Sequence, residues 1–216
     1  MSRAILIPVK DLTRAKQRLA PLLTQAARTE LARAMLEDVF NAVAAARGAD
    51  SVYVVTSCPE AAERARALGW ETLRETEQVS ESDSVDRAAK ELAARGVELL
   101  LRLPIDIPLV QPADIEELLQ AAGPAPMMVA VPSRDGRGTN ALLRTPPALF
   151  PSHFGEGSFA KHLAEAQARR AQIRVLRNPR IELDVDDPAD LRALLAALPN
   201  GETATGRCLQ RLGAHL

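Results

Sequence analysis

Short apolar runs alternate with segments whose apolar residues recur at helical spacing along most of the chain. Residues 4–9 form an apolar run that predicts a buried strand ending in a loop at Lys10. Residues 24–46 predict a helix in which Leu31, Met35, Val39 and Val43 share one face. The β-branched stretch 51–56 predicts a second strand, and 60–68 a short helix with Gly69 as its C-cap. Residues 75–84 are polar and acidic and read as a loop, followed by a helix over 85–95 that stops at Gly96. The most apolar strand spans 97–103 and closes on Pro104-Ile105-Asp106-Ile107-Pro108. A helix over 113–122, a strand over 127–131, a helix over 158–169 and a strand near 173–176 come next. Asp187-Pro188 opens a last helix through 198, and 199–216 reads as a tail or a short terminal helix. Residues 133–159 break the rhythm: Gly136, Gly138, Pro146, Pro147, Pro151, Gly155 and Gly157 are too much punctuation for regular elements. A long irregular excursion of that kind is more often functional than idle.

Strand and helix in alternation predict an α/β fold: a mostly parallel sheet with helices on both faces. Ligands of such sheets sit beyond the carboxyl ends of the strands, where Lys10 and Asp106 both fall. Length adds that residues 1–198 make one domain, since 216 residues fit a single compact unit. The apolar share of 47% allows a core, and no run is long enough for a membrane span. The first residues lack a secretory apolar region, which points to the cytoplasm. Net charge is −1 and aromatics are 3%, which argues against a nucleic-acid partner and leaves any phosphate site local. Cys58 and Cys208 have neither zinc spacing nor the density of a disulfide scaffold, and read as two reduced thiols.

Lys10, Arg14, Lys16 and Arg18 crowd one loop, which is either a solvated basic segment or a wrap for a polyphosphate. No P-loop or dinucleotide fingerprint accompanies it. Asp106 either caps the next segment or holds Mg²⁺, which takes one or two carboxylates plus substrate phosphates. Alternation puts Asp184 and Asp186 on one side of an extended segment, while Asp187 is placed as a helix N-cap. Thr139 and Asn140, after Gly136 and Gly138, offer a hydroxyl, an amide and exposed backbone amides. Ser158 is placed as an N-cap at a helix start that could equally bind an anion. His162, one turn in, either reaches that anion or is a plain, partly exposed helix histidine. There is no GxSxG elbow, and scattered histidines argue against a hydrolytic triad.

Seven motifs then fall in order: Pro8-Val9-Lys10, Ala15-Lys16-Gln17-Arg18-Leu19, Met35-Leu36-Glu37-Asp38-Val39, Pro104-x-Asp106-x-Pro108-Leu109, Gly138-Thr139-Asn140-Ala141-Leu142, Phe154-Gly155-x-Gly157-Ser158-Phe159-x-x-His162 and Asp184-Val185-Asp186-x-Pro188-x-Asp190-Leu191. With them the chain resembles the 2-phospho-L-lactate guanylyltransferase family of coenzyme F420 biosynthesis. The resemblance implies a three-layer αβα, glycosyltransferase-A-like (nucleotide-diphospho-sugar transferase) fold with a mostly parallel mixed sheet. It implies GMP transfer from GTP to the phosphate of 2-phospho-L-lactate, phosphoenolpyruvate or 3-phospho-D-glycerate. Lys10, Lys16 and Arg18 would contact phosphates, and Asp106, Asp184 and Asp186 would hold Mg²⁺. Thr139, Asn140, Gly155, Ser158 and His162 would bind the acid. Analogy alone suggests a homodimer. Where family members usually carry Leu-Asn, this chain has Val85-Asp86, an anion expected near the substrate and therefore favouring a hydroxyl-bearing acceptor. A cytidylyl- or sugar-nucleotidyltransferase, or a nucleotide-binding module without turnover, are the alternative readings.

Overall fold

A computed structural model describes residues 1–75, 79–198 and 203–213. The strands β1 (Arg3–Val9), β2 (Ser51–Thr56), β3 (Glu71–Arg74), β4 (Leu99–Arg102), β5 (Met127–Pro132), β6 (Thr139–Thr145) and β7 (Gln172–Val175) form one sheet. Their order is β3-β2-β1-β4-β6-β5-β7, and β6 alone runs antiparallel to its neighbours. The expected mostly parallel mixed sheet is therefore present. The helices are α1 (Gln25–Ala45), α2 (Pro59–Ala67), α3 (Glu81–Ala94), α4 (Pro112–Gln120), α5 (Ser158–Ala168), α6 (Pro179–Glu182), α7 (Pro188–Ala197) and α8 (Ala204–Arg211). Among the described residues no helix is long and apolar enough to cross a membrane.

Alternation along the central strands feeds two cores. Ile5, Ile7 and Val9 of β1 join Leu99 and Leu101 of β4 beneath α1, α2 and α4. Ala4, Leu6 and Leu100 face the other way, onto Val85, Ala88, Ala89 and Leu92 of α3. Beside them Met128, Ala130 and Leu142 pack against Phe150 and Ala166, the latter on α5. Helices thus cover both faces.

The structure departs from the sequence expectations in several places, and adds β3 and α6, for which the sequence predicted no element. The stretch 133–159 is not irregular throughout, because β6 lies inside it with every residue buried. A tight connection allows this: Gly138 N–H donates to Ser133 Oγ (2.7 Å), and a Cβ on Gly138 would meet that oxygen at 2.8 Å. The loop expected over 75–84 is shorter, since α3 starts at Glu81; residues 76–78 lie outside the described set. Ser80 caps that helix by accepting from Asp83 N–H, and Glu81 and Asp83 are acids suited to the positive end of the helix dipole. The apolar face of α1 divides: Val39 and Val43 pack on the sheet, while Leu31 and Met35 meet Leu191, Leu194 and Leu209. The terminal stretch, read as a tail or a short helix, is the helix: α8 folds back, buries Cys208 and Leu209 in that cluster, and has its first amides held by Asp38 of α1. Residues 199–202 and 214–216, including His215, lie outside the described set.

Candidate active site

β1 and β4 are parallel neighbours, so both end at one edge of the sheet and deliver Lys10 and Asp106 there. Because β6 runs the other way it begins at that edge, and brings Thr139 and Asn140 alongside. A cleft of about 1150 Å³ opens over this convergence, where α/β sheets hold their ligands.

The loop after β1 is built from two single turns of 3-10 helix, Leu12–Arg14 and Gln17–Leu19. Leu12 and Leu19 are buried and pin it down, which leaves Lys10, Arg14, Lys16 and Arg18 on the wall of the cleft. Lys16 sits in the left-handed region (φ 55°), a conformation that costs a non-glycine residue energy and concentrates at functional sites. Its Nζ donates to Asp106 Oδ2 at 2.8 Å and to Asp186 Oδ1 at 3.0 Å. Burial opposes its charge, but the two carboxylates outweigh burial and raise the lysine pKa above its ordinary value.

The acidic side of the cleft follows from one backbone contact. Val185 N–H donates to Asp106 O at 3.0 Å, and the Val185 side chain is buried in the core. Its neighbours Asp184 and Asp186 therefore point the opposite way, into the cleft with Asp106. Burial works against the Asp106 carboxylate, yet Lys16 and then Arg102 keep its pKa below the usual value. For Asp184, burial, then the charge of Asp106, push the pKa up to about 6 despite a hydrogen bond from Asn140 Nδ2 (3.0 Å). Among the described residues no group of three or more His, Cys, Asp or Glu side chains is already drawn together as a metal cage. The carboxylates are hard oxygen donors with open cleft in front of them, which suits a small divalent cation that keeps positions for phosphate oxygens.

The opposite wall carries hydroxyls. Thr139, Asn140, Gly155 and Ser158 all line the cleft. Ser158 is not the N-cap of α5; Gly157 is, with φ 67°, and the Ser158 hydroxyl instead donates to Thr139 Oγ1 (3.2 Å). His162 is neither exposed nor on the cleft surface. It is wholly buried behind Thr139, with Nδ1 3.0 Å from Thr139 Oγ1 and Nε2 accepting from His153 N–H at 2.9 Å. Burial, then the charges of Arg144 and other nearby groups, lower its pKa to about 3, so the ring is neutral.

Two expected substrate residues are elsewhere. Val85 is completely buried in the core under β1. Asp86 accepts from Ser152 N–H with both oxygens (3.0 Å each) and lies 3.5 Å from the buried Arg144 guanidinium. Neither lines the cleft. The anion that favoured a hydroxyl-bearing acceptor thus faces a buried arginine, and that argument for 3-phosphoglycerate falls away.

Sequence reasoning passed over Arg102 and Glu81, and gave Phe154 of the glycine-rich motif no role; all three also line the cleft. Arg102 pairs with Glu81, donates to Asn140 O (3.2 Å) and stacks over the Phe154 ring (4.2 Å). A charge closing the most apolar strand was the available signal, since a buried arginine is rare without a purpose.

Residues 3–215 match the family described as "Guanylyl transferase CofC like". The chain is 39% identical over 197 residues to the phosphoenolpyruvate guanylyltransferase of Rubrobacter xylanophilus, covering 91% of this chain and 95% of that one. It is 33% identical to the 2-phospho-L-lactate guanylyltransferase of Methanothermobacter thermautotrophicus, covering 90% and 85%. Among solved structures, a Desulfovibrio desulfuricans G20 protein described as a nucleotide-diphospho-sugar transferase superposes with a TM-score of 0.79 at 17% identity, over 99% of this chain and 96% of that one. That likeness carries the fold, and the sequence matches carry the family: a sheet edge with cations facing carboxylates belongs here to a member of the CofC-like guanylyl transferases.

Proposed function

We propose that this protein transfers the guanylyl group of GTP to the phosphate of a phosphorylated three-carbon acid, with phosphoenolpyruvate the first candidate, and releases pyrophosphate. The observation that carries the reading is Lys16 held between Asp106 and Asp186 at the edge where the basic loop and the hydroxyl wall meet. An oxygen of the acceptor phosphate bonds to the α-phosphorus of GTP while the bond to the pyrophosphate oxygen breaks. Both reactants are anions, so catalysis is positioning plus neutralisation of charge. The acceptor phosphate is ionised at neutral pH, and no general base is needed.

Lys10, Lys16 and Arg18 neutralise the triphosphate from the loop side. Thr139, Asn140, Gly155 and Ser158 hold the acid from the other. Asp106, Asp184 and Asp186 would hold Mg²⁺, which when bound supplies Lewis-acid charge neutralisation on the phosphate oxygens. The names of the relatives at 33–39% identity favour phosphoenolpyruvate or 2-phospho-L-lactate as acceptor. Pyrophosphate release is to be measured with Mg²⁺ and GTP plus each of phosphoenolpyruvate, 2-phospho-L-lactate and 3-phospho-D-glycerate, with CTP, ATP and UTP in parallel. Release with GTP and one acid is expected. Release with CTP and none with GTP would move the protein to the cytidylyltransferases.

A further inference from the structure

Three consecutive backbone amides behind the cleft are each captured by a side chain from another element. Ser152 N–H donates to Asp86, His153 N–H to His162 Nε2 and Phe154 N–H to Ser82 Oγ, at 2.9–3.0 Å. An amide can only donate, so His162 Nε2 must be the bare, accepting nitrogen. With its neighbours pinned on both sides, the His153 amide has no freedom to turn away. The neutral ring therefore carries its proton on Nδ1 and donates it to Thr139 Oγ1, 3.0 Å away.

Proton counting then settles what the hydroxyl pair can offer. Thr139 Oγ1 and Ser158 Oγ are 3.2 Å apart, so one hydroxyl hydrogen lies between them. Two hydrogens are available and Thr139 already accepts from the imidazole. Whichever way the shared bond runs, one O–H is left over on the cleft side. With the proton on Nε2 instead, Thr139 would donate to the ring and Ser158 to Thr139, and the pair would present only lone pairs. Lone pairs repel an anion; an O–H binds it.

We propose that His162 is a positioning residue that makes the Thr139–Ser158 pair a hydrogen-bond donor toward the anionic acceptor, either its carboxylate or its phosphate. This rests on the functional reading above, because it presumes an anionic acid on the hydroxyl wall. It assigns the buried histidine of the Gly155-x-Gly157-Ser158 segment a task in anion selectivity, without contact with the ligand.

The test has two arms. Nitrogen-15 NMR of the full chain labelled at histidine reads which ring nitrogen of His162 is protonated, with His162→Asn identifying the resonance. A protonated Nδ1 and bare Nε2 are expected, and an Nε2–H ring would overturn the proposal even in an enzyme that turns over. In steady-state kinetics His162→Phe is expected to raise the KM for phosphoenolpyruvate roughly 10- to 100-fold, the worth of one hydrogen bond to a charged group, with the KM for GTP little changed. His162→Asn, which keeps an N–H near the Nδ1 position, should restore most of that loss. Equal KM values for the two variants would overturn the proposal. An Nδ1–H ring in a wild type that turns over none of the acids would instead overturn the acceptor reading, and with it the ligand assigned to the pair.

Discussion

Asp106, Asp86 and Lys16 are all charged, and their neighbours give them different work. Asp106 shares the Lys16 ammonium with Asp186 and fronts open cleft, so its charge is available to a substrate or a metal. Asp106→Asn is expected to keep the fold, read by circular dichroism, and to lose on the order of 100-fold or more in turnover, as when one preorganised electrostatic group is removed. Full activity of that variant across a magnesium titration would take Asp106 out of the metal set. Asp86 faces inward, toward Ser152 N–H and Arg144, and Arg144 is almost wholly buried. Asp86→Asn should therefore leave the ranking of acceptors unchanged while lowering stability by about 1–3 kcal/mol, because it removes the counter-charge of a buried cation. A changed acceptor ranking with an unchanged unfolding midpoint would return Asp86 to the substrate side.

At the scale of elements, the long apolar strands and capped helices were legible because local chemistry and burial agree. Asp187 caps α7 in a reciprocal box with Asp190, as its position before Pro188 implies. β6 was not legible. Its sequence mixes Thr139, Asn140 and Arg144 with apolar residues between glycines and prolines, and those polar groups are tolerable in a central strand only through partners far along the chain. Asn140 Nδ2 donates to Ile181 O (2.8 Å), and Arg144 donates to Phe150 O (2.6 Å) beside Asp86. α8 was half legible: a short terminal helix was one of two readings of that stretch, but nothing in its short, mostly polar sequence showed that it closes the cluster formed by Leu31, Met35, Leu191 and Leu194. Leu209→Ala should cost about 2–4 kcal/mol in urea unfolding, the usual range for a buried leucine. A loss under about 0.5 kcal/mol, typical of surface positions, would mean that α8 is not part of the core.

For the whole molecule, net charge near zero means that the attraction for a polyphosphate comes from the cleft rather than from the protein's overall field. Raising ionic strength from 0.1 to 1 M shortens the screening length from about 10 Å to about 3 Å. The KM for GTP should rise several-fold over that range while the unfolding midpoint moves little; a KM indifferent to salt would deny the basic loop its role. Most strands and helices apart from β3, β6 and α6, the sheet edge that carries Lys10 and Asp106, and the cation and carboxylate sets were decided by the sequence itself, because hydrophobic period, caps and strand ends are local properties. Only the tertiary structure decided which of these charges meet. It set Lys16 between carboxylates from two distant segments, turned Asp86 onto Arg144, placed an antiparallel strand inside the sheet and fixed the His162 tautomer through one backbone amide. Each of those depends on pairing between residues far apart in the chain, and a hydrogen bond or ion pair across such a distance leaves no period or spacing for a sequence to show.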